Sequence, residues 1–237
     1  MAVELPPAAA TAMVAGAAYL CGSIPFGFLA ARARGLDIRE VGSGNIGATN
    51  VKRACGPTIG RIVLLLDISK GFLPTLVLAP RLAMQFSRTH LGGAELGWAM
   101  AIAALFSIVG HNWPIWLGFR GGKGVAVTIG AFAALMEWWV FIPLFVWAAV
   151  AKGTGYVSVA SMALGASVAA TAAVLAGAGK ADISLVAAAT VAAALIILRH
   201  RANIGRLRAG TEPRRGQTVK APAAVDSDDT GGEGRAE

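Results

Sequence analysis

The sequence predicts an all-α, polytopic integral membrane protein with seven transmembrane helices, its N-terminus outside and its C-terminus cytoplasmic. Three observations carry this. Of 237 residues, 56% are hydrophobic and only 14% charged, where soluble domains carry about a quarter charged. Five apolar runs come near the ~20 residues that a span needs, at about 8–31, 62–80, 95–112, 154–177 and 182–198. Lys and Arg gather between the runs rather than along them.

The first run, 8–31, is preceded by Glu4 and by no Lys or Arg. A cleavable signal would open with positive charge, so this run reads as a retained span. Arg32, Arg34, Arg39, Lys52, Arg53 and Arg61 follow it, Arg120 and Lys123 follow the third run, and six arginines from Arg199 to Arg215 follow the last. The positive-inside rule places all three clusters in the cytoplasm. An even number of crossings must then separate the second cluster from the third. The runs 154–177 and 182–198 supply two, so 125–151, which holds Glu137 and Pro143, crosses twice or not at all. Two legs of about 13 residues would each rise only ~20 Å, short of the ~30 Å core. The expected form is a hairpin of short helices turning near Glu137, with Lys152 back inside. A single span there would strand six arginines outside.

Residues 1–217 read as one membrane-embedded domain, and 218–237 as a disordered polar and acidic tail. That tail holds five acidic residues, so the body is more basic than the net charge of +8 suggests. Placed between spans, this basic charge suits topology and anion binding rather than nucleic acid. Cys21 and Cys55 have no metal-ligand spacing and no evident need to pair.

Three polar loops carry the candidate chemistry. The first, Val41 to Arg53, holds Gly42, Gly44 and Gly47 for tight turns. It also holds Ser43, Asn45, Thr49 and Asn50 as donors, acceptors and caps, and ends in Lys52 and Arg53. The second, Gly110 to Gly124, has His111 at a span end, then Arg120, Gly121, Gly122, Lys123 and Gly124. A glycine turn with Lys at its centre exposes amides to an anion. It is not a Walker A loop, because Leu117 and Gly124 stand where that motif requires Gly and Ser or Thr. The third, Arg199 to Glu212, places His200, Asn203 and Arg206 at i, i+3 steps on one helical face. Asp67 and Lys70 are i, i+3 inside an apolar helix, where charges are expensive unless paired or functional. An internal pair bracing the bundle is the expected role.

Several chemistries are disfavoured. Body carboxylates are scattered, unlike a two-metal phosphotransferase, and no His/Cys cluster suggests zinc. No metal and no cofactor are expected. Ser43 and His200 could pair as nucleophile and base, yet no acidic residue near either completes a triad.

Together the loops resemble the bacterial acyl-phosphate:glycerol-3-phosphate acyltransferase family. The resemblance rests on Gly22-Ser-Ile-Pro-Phe-Gly27, Ser43 to Asn50 with Arg53, Asp67 to Gly71, Gly110-His111 with Pro114, Phe119 to Val125, and His200 with Asn203, Arg206, Gly210 and Glu212. It covers about residues 15–213. It implies a seven-span enzyme of phospholipid synthesis in the bacterial inner membrane, with its motifs facing the cytoplasm. That enzyme moves an acyl group from acyl phosphate to the 1-hydroxyl of glycerol 3-phosphate, giving lysophosphatidic acid and phosphate, with no obligate protein partner. It further implies Ser43, Arg53, His200 and Asn203 for catalysis. Asn45, Thr49, Asn50, His111, Arg120, Gly121 to Gly124 and Arg206 would bind substrate or phosphate, with Asp67, Lys70 and Glu212 as supports. Two positions depart from the pattern: Arg120 stands for the usual Lys, and Val127 for a Thr that here comes one place later, as Thr128. An activated acyl phosphate needs no acyl-serine, so direct attack by the glycerol hydroxyl is expected, with His200, His111 or a substrate phosphate as base. The competing reading is a transporter of an anionic metabolite, although transporters usually show internal repeats.

Overall fold

A computed structural model describes residues 6–86 and 93–216, and within them it is all-helical. The tail expected over 218–237 lies outside the described residues. The helices are α1 (Pro7–Ser23), α2 (Phe26–Arg32), α3 (Ala48–Cys55), α4 (Pro57–Leu73), α5 (Ala79–Phe86), α6 (Gly93–Asn112), α7 (Val125–Met136), α8 (Phe141–Thr154), α9 (Val157–Gly177), α10 (Ile183–Arg199) and α11 (Arg201–Arg208). Among the described residues, five helical stretches are long and apolar enough to cross a membrane, or six when the bent pair α10–α11 is included.

Local chemistry sets the breaks. Pro25 pushes Ile24 out of the helical region, to φ −59° and ψ 115°, which separates α1 from α2 within the run expected as one helix. Pro57 opens α4 at a first-turn position, where its missing N–H costs nothing. Pro74 lacks the N–H that would continue α4, and the chain passes through a π turn over Pro74–Leu78 into α5. Gly155, at φ 76°, ends α8 and donates its N–H to Ala151 O.

The run 125–154 does not continue straight. Glu137 has φ 52° and ψ −126°, a conformation no helix interior tolerates, and a short 3-10 turn over Glu137–Val140 follows. A straight 30-residue helix would hold its ends ~45 Å apart. Here both ends reach the same polar cluster. Before α7, Lys123 donates to Asn203; after α8, Gly155 O accepts the Arg215 N–H, close to Glu212. The opposite end of this fold-back meets the α9–α10 turn, where Lys180 lies 5.2 Å from the Trp139 ring centroid.

Helix pairs α1/α6, α4/α7, α8/α9 and α9/α10 form the bundle. Its main core joins α6, α7, α9 and α10 around Ile108, Phe132, Leu164 and Ile196. Small residues allow the backbones to touch, as membrane helices require. A Cβ on Gly71 of α4 would strike Val127 O of α7, and one on Gly130 of α7 would strike Ile68 O of α4. Neither obstacle is a side chain that can rotate away. Gly71→Val is therefore expected to cost more than the roughly 1–3 kcal/mol of ordinary overpacking. It should abolish the monodisperse peak in detergent size-exclusion chromatography, whereas Gly16→Ala, with open space around it, should leave that peak unchanged.

Candidate active site

The first loop is folded by Asn50 on the first turn of α3. Its Nδ2 donates to Val41 O (2.9 Å) and Ile38 O (3.3 Å), and its Oδ1 accepts the Ser43 N–H (3.1 Å). A Cβ at Gly42 would stand 2.5 Å from that Oδ1, and Gly42 has φ 62°, so glycine is required there. Asn45 Oδ1 accepts the Gly47 N–H at 2.8 Å, just before α3 begins. Upstream, Asp37 accepts from Arg39 and Arg32, and these hydrogen bonds hold its carboxyl well below the usual range. Ser43 and Thr49 are exposed. Asn50 is buried, with its amide committed to the loop backbone.

The second loop is pinned from four directions. Tyr19 on α1 donates its hydroxyl to Trp113 O at 2.8 Å. Gly122 N–H donates to His111 O at 3.0 Å. Arg199, ending α10, donates through Nε to Gly122 O and through Nη2 to Gly121 O, each at 2.8 Å. Gly124, at φ 76°, opens α7 over buried Asn112. A Cβ on Gly121 would run into His111 O, and one on Gly122 into the His111 ring. His111 thus lies beneath the glycine turn, only 4% exposed, with Nδ1 3.8 Å from Asp67 Oδ1. Asp67 pairs with Lys70 at 3.0 Å, both side chains below 5% exposure, and Lys70 also donates to Ile24 O at 2.8 Å. The pair therefore lies between the break that separates α1 from α2, which Lys70 reaches, and His111 beneath the glycine turn. Arg120 is exposed. Thr128 is buried within α7.

The third loop closes the arrangement. Asn203 Oδ1 accepts from Lys123 Nζ at 2.6 Å, and Asn203 Nδ2 donates to Glu212 Oε1 at 2.6 Å. Glu212 Oε2 accepts from Arg206 Nε at 2.8 Å. Burial pushes the Glu212 carboxyl up, but its hydrogen bonds from Asn203 and Arg206 hold it below its ordinary value. His200, between α10 and α11, has Nδ1 2.8 Å from Ile196 O. A carbonyl can only accept, so Nδ1 carries the hydrogen and Nε2 keeps its lone pair. Burial, with Lys123 nearby, lowers His200 to about 4, so it is neutral at pH 7. Burial also pushes Lys123 down to about 8; Glu212 opposes this, while Arg206, Arg199 and Arg53 reinforce it. The first loop lies beside the second, because Leu117 packs against the cluster of Ile38, Ile46 and Val51.

Lys123, Asn203, Arg206 and Glu212 are thus drawn from the second and third loops into one hydrogen-bonded cluster, with His200 one helical turn before Asn203. Sequence reasoning assigned Arg199 to topology alone, and nothing in its spacing signals that two glycine carbonyls bind its guanidinium. A site of this kind can neutralise phosphate and orient a hydroxyl beside it.

A family model described as glycerol-3-phosphate acyltransferase matches residues 12–210. A glycerol-3-phosphate acyltransferase of Aquifex aeolicus (strain VF5) is 38% identical over 197 residues, covering 83% of this chain and 95% of that protein. One from Anaeromyxobacter sp. (strain Fw109-5) is 42% identical over 206 residues, covering 85% and 95%. The crystal structure of PlsY (YgiH), an integral membrane glycerol 3-phosphate acyltransferase in its glycerol 3-phosphate form, superposes with a TM-score of 0.75 at 38% identity, over 87% of this chain and 96% of that one. Its lysophosphatidic acid form gives 0.73 at 36% identity, over 86% and 94%.

Proposed function

This chain belongs to the glycerol-3-phosphate acyltransferase family and is an integral membrane acyltransferase, not a transporter; from that premise we propose how its loops perform the reaction. The acyl donor is an acyl phosphate and the acceptor is the 1-hydroxyl of glycerol 3-phosphate. The hydroxyl oxygen attacks the acyl carbonyl carbon, the bond from that carbon to the phosphate oxygen breaks, and inorganic phosphate leaves. Lysophosphatidic acid is the other product.

One observation carries this reading: Lys123 of the glycine turn and Asn203, Arg206 and Glu212 of the third loop form one hydrogen-bonded cluster. Two substrate phosphates need that concentration of cations and donors. The glycine turn from Gly121 to Gly124, with Lys123, binds a phosphate through amides and charge. Arg53, Arg120 and Arg206 add charge around it. Ser43, Asn45 and Thr49 orient the acceptor from the first loop, with Asn50 and His111 shaping the turns beneath. Asn203 is held by Lys123 and Glu212 to position the reacting groups, and Glu212, Asp67 and Lys70 act as supports. Neutral His200 accepts a hydrogen bond from the attacking hydroxyl at Nε2, and the proton ends on the leaving phosphate. Ser43 polarises and takes no acyl group.

Seven spans accommodate this site, with the N-terminus outside and the C-terminus cytoplasmic. The fold-back at Glu137 supports two short spans, α7 and α8, of about 18 and 21 Å by their residue counts. Residues 1–217 form a single catalytic domain, and residues 218–237 a polar tail. The acyl chain stays in lipid while its head reaches the loops at the cytoplasmic face of the inner membrane.

The test is donor competition with purified protein in detergent. Acyl phosphate should support transfer, while acyl-CoA and acyl carrier protein neither substitute nor compete. Equal turnover with acyl-CoA would overturn the donor assignment.

A further inference from the structure

Arg199 ends α10 half-buried and turns its guanidinium on the backbone of the glycine turn. Nε and Nη2 donate to the successive carbonyls of Gly122 and Gly121, each at 2.8 Å. The cation also sits 5.3 Å from the Trp113 ring centroid, which fixes its approach. Such a fork usually meets a carboxylate or phosphate. Here two neutral carbonyls occupy it.

The consequence follows from peptide geometry. In a trans peptide the C=O and N–H point in opposite directions. With Gly122 O turned to Arg199, the Lys123 N–H is turned away from it. The preceding peptide is held as well, because Gly121 O faces Arg199 and the Gly122 N–H meets His111 O. Without that restraint the free ψ of Gly122 lets the peptide between Gly122 and Lys123 rotate, and rotation would aim the Gly122 carbonyl oxygen where an anion must sit.

We propose that Arg199 is a positioning residue that, anchored on the Gly121 carbonyl, keeps the Gly122 carbonyl turned away from the substrate phosphate and so aims the Lys123 N–H at it. The inference rests on the reading of that turn as a phosphate cradle. It requires the planar fork and not charge alone, because one ammonium cannot hold two carbonyls in a fixed plane.

The experiment measures the inhibition constant of inorganic phosphate in the transfer assay for wild type, R199K, R199Q and K123A, each purified in detergent and checked for monodispersity. R199K should raise that constant about tenfold, the upper range for one lost hydrogen bond, and R199Q by more. A purely structural role would reduce the yield of folded protein without changing phosphate affinity in the molecules that fold. If R199Q does not fold, R199K decides alone, since it keeps the charge and an apolar stem against Trp113. Folded R199K with wild-type phosphate inhibition would overturn the inference. If K123A raises the constant and R199K does not, the cradle stands and only the role of Arg199 falls. If K123A also leaves it unchanged, the cradle reading itself is wrong.

Discussion

Lys123→Ala is expected to lower kcat/KM by about 10²–10³, the loss typical of removing one preorganised donor from a charge-stabilising site. Lys123 stands between the glycine turn and Asn203, with its ammonium 2.6 Å from Asn203 Oδ1. Truncation removes charge from the cluster and also frees the amide that Glu212 grips from the other side. The loss should appear in affinity for phosphate-bearing substrate as well as in turnover. Lost turnover with unchanged affinity for both substrates would contradict the cradle assignment. The pH profile supplies a second readout. Only the charged ammonium attracts the anion, and burial brings this group down to about 8. In the free enzyme the charged fraction falls as pH rises through that value, so kcat/KM should decline above about pH 8. Bound anion favours the charged form, so kcat at saturation should hold to higher pH. In Lys123→Arg, a group that never deprotonates in this range, the alkaline limb should vanish whatever activity remains.

Asp67→Ala should be the most damaging change away from the reacting groups. It leaves Lys70, with a side chain only 4% exposed, as a buried charge without its counter-ion. Breaking one partner of such a pair costs about 3–5 kcal/mol, or roughly 10 °C in melting temperature for a domain of this size. The double change Asp67→Leu with Lys70→Met removes both charges and should recover most of that stability. It should not recover full activity, because His111, which carries the glycine turn, also neighbours Asp67. Thermal unfolding of the three proteins in one detergent checks this. A single Asp67→Ala variant as stable as wild type would show that the pair braces nothing.

The helical class was legible from hydropathy alone, and the turn at Glu137 from charge parity, because lipid and the positive-inside rule constrain each apolar run as a whole. The Asp67–Lys70 pairing was legible for the same reason: charges at i, i+3 in an apolar helix must meet. Finer features depended on contacts between distant segments. The family resemblance implies Asn50 as a substrate-binding residue, and nothing in the stretch from Gly42 to Asn50 shows that its amide closes back on Val41 and Ser43. His111 reads from the sequence only as a residue at a span end, and nothing local shows that the glycine turn folds over it. The Arg199 fork joins residues 77 and 78 positions apart, a separation that no local pattern encodes. The π turn after Pro74 was equally hidden, because the proline predicts a break but not its form.

The most direct test of direct acyl transfer is to follow phosphate release and lysophosphatidic acid formation together, with purified wild-type protein, acyl phosphate and glycerol 3-phosphate. Phosphate should appear only when both substrates are present, one for each lysophosphatidic acid formed, with no initial burst. A burst of phosphate from acyl phosphate alone, matched by label left on the protein, would mean an acyl-enzyme and would contradict direct attack by the glycerol hydroxyl.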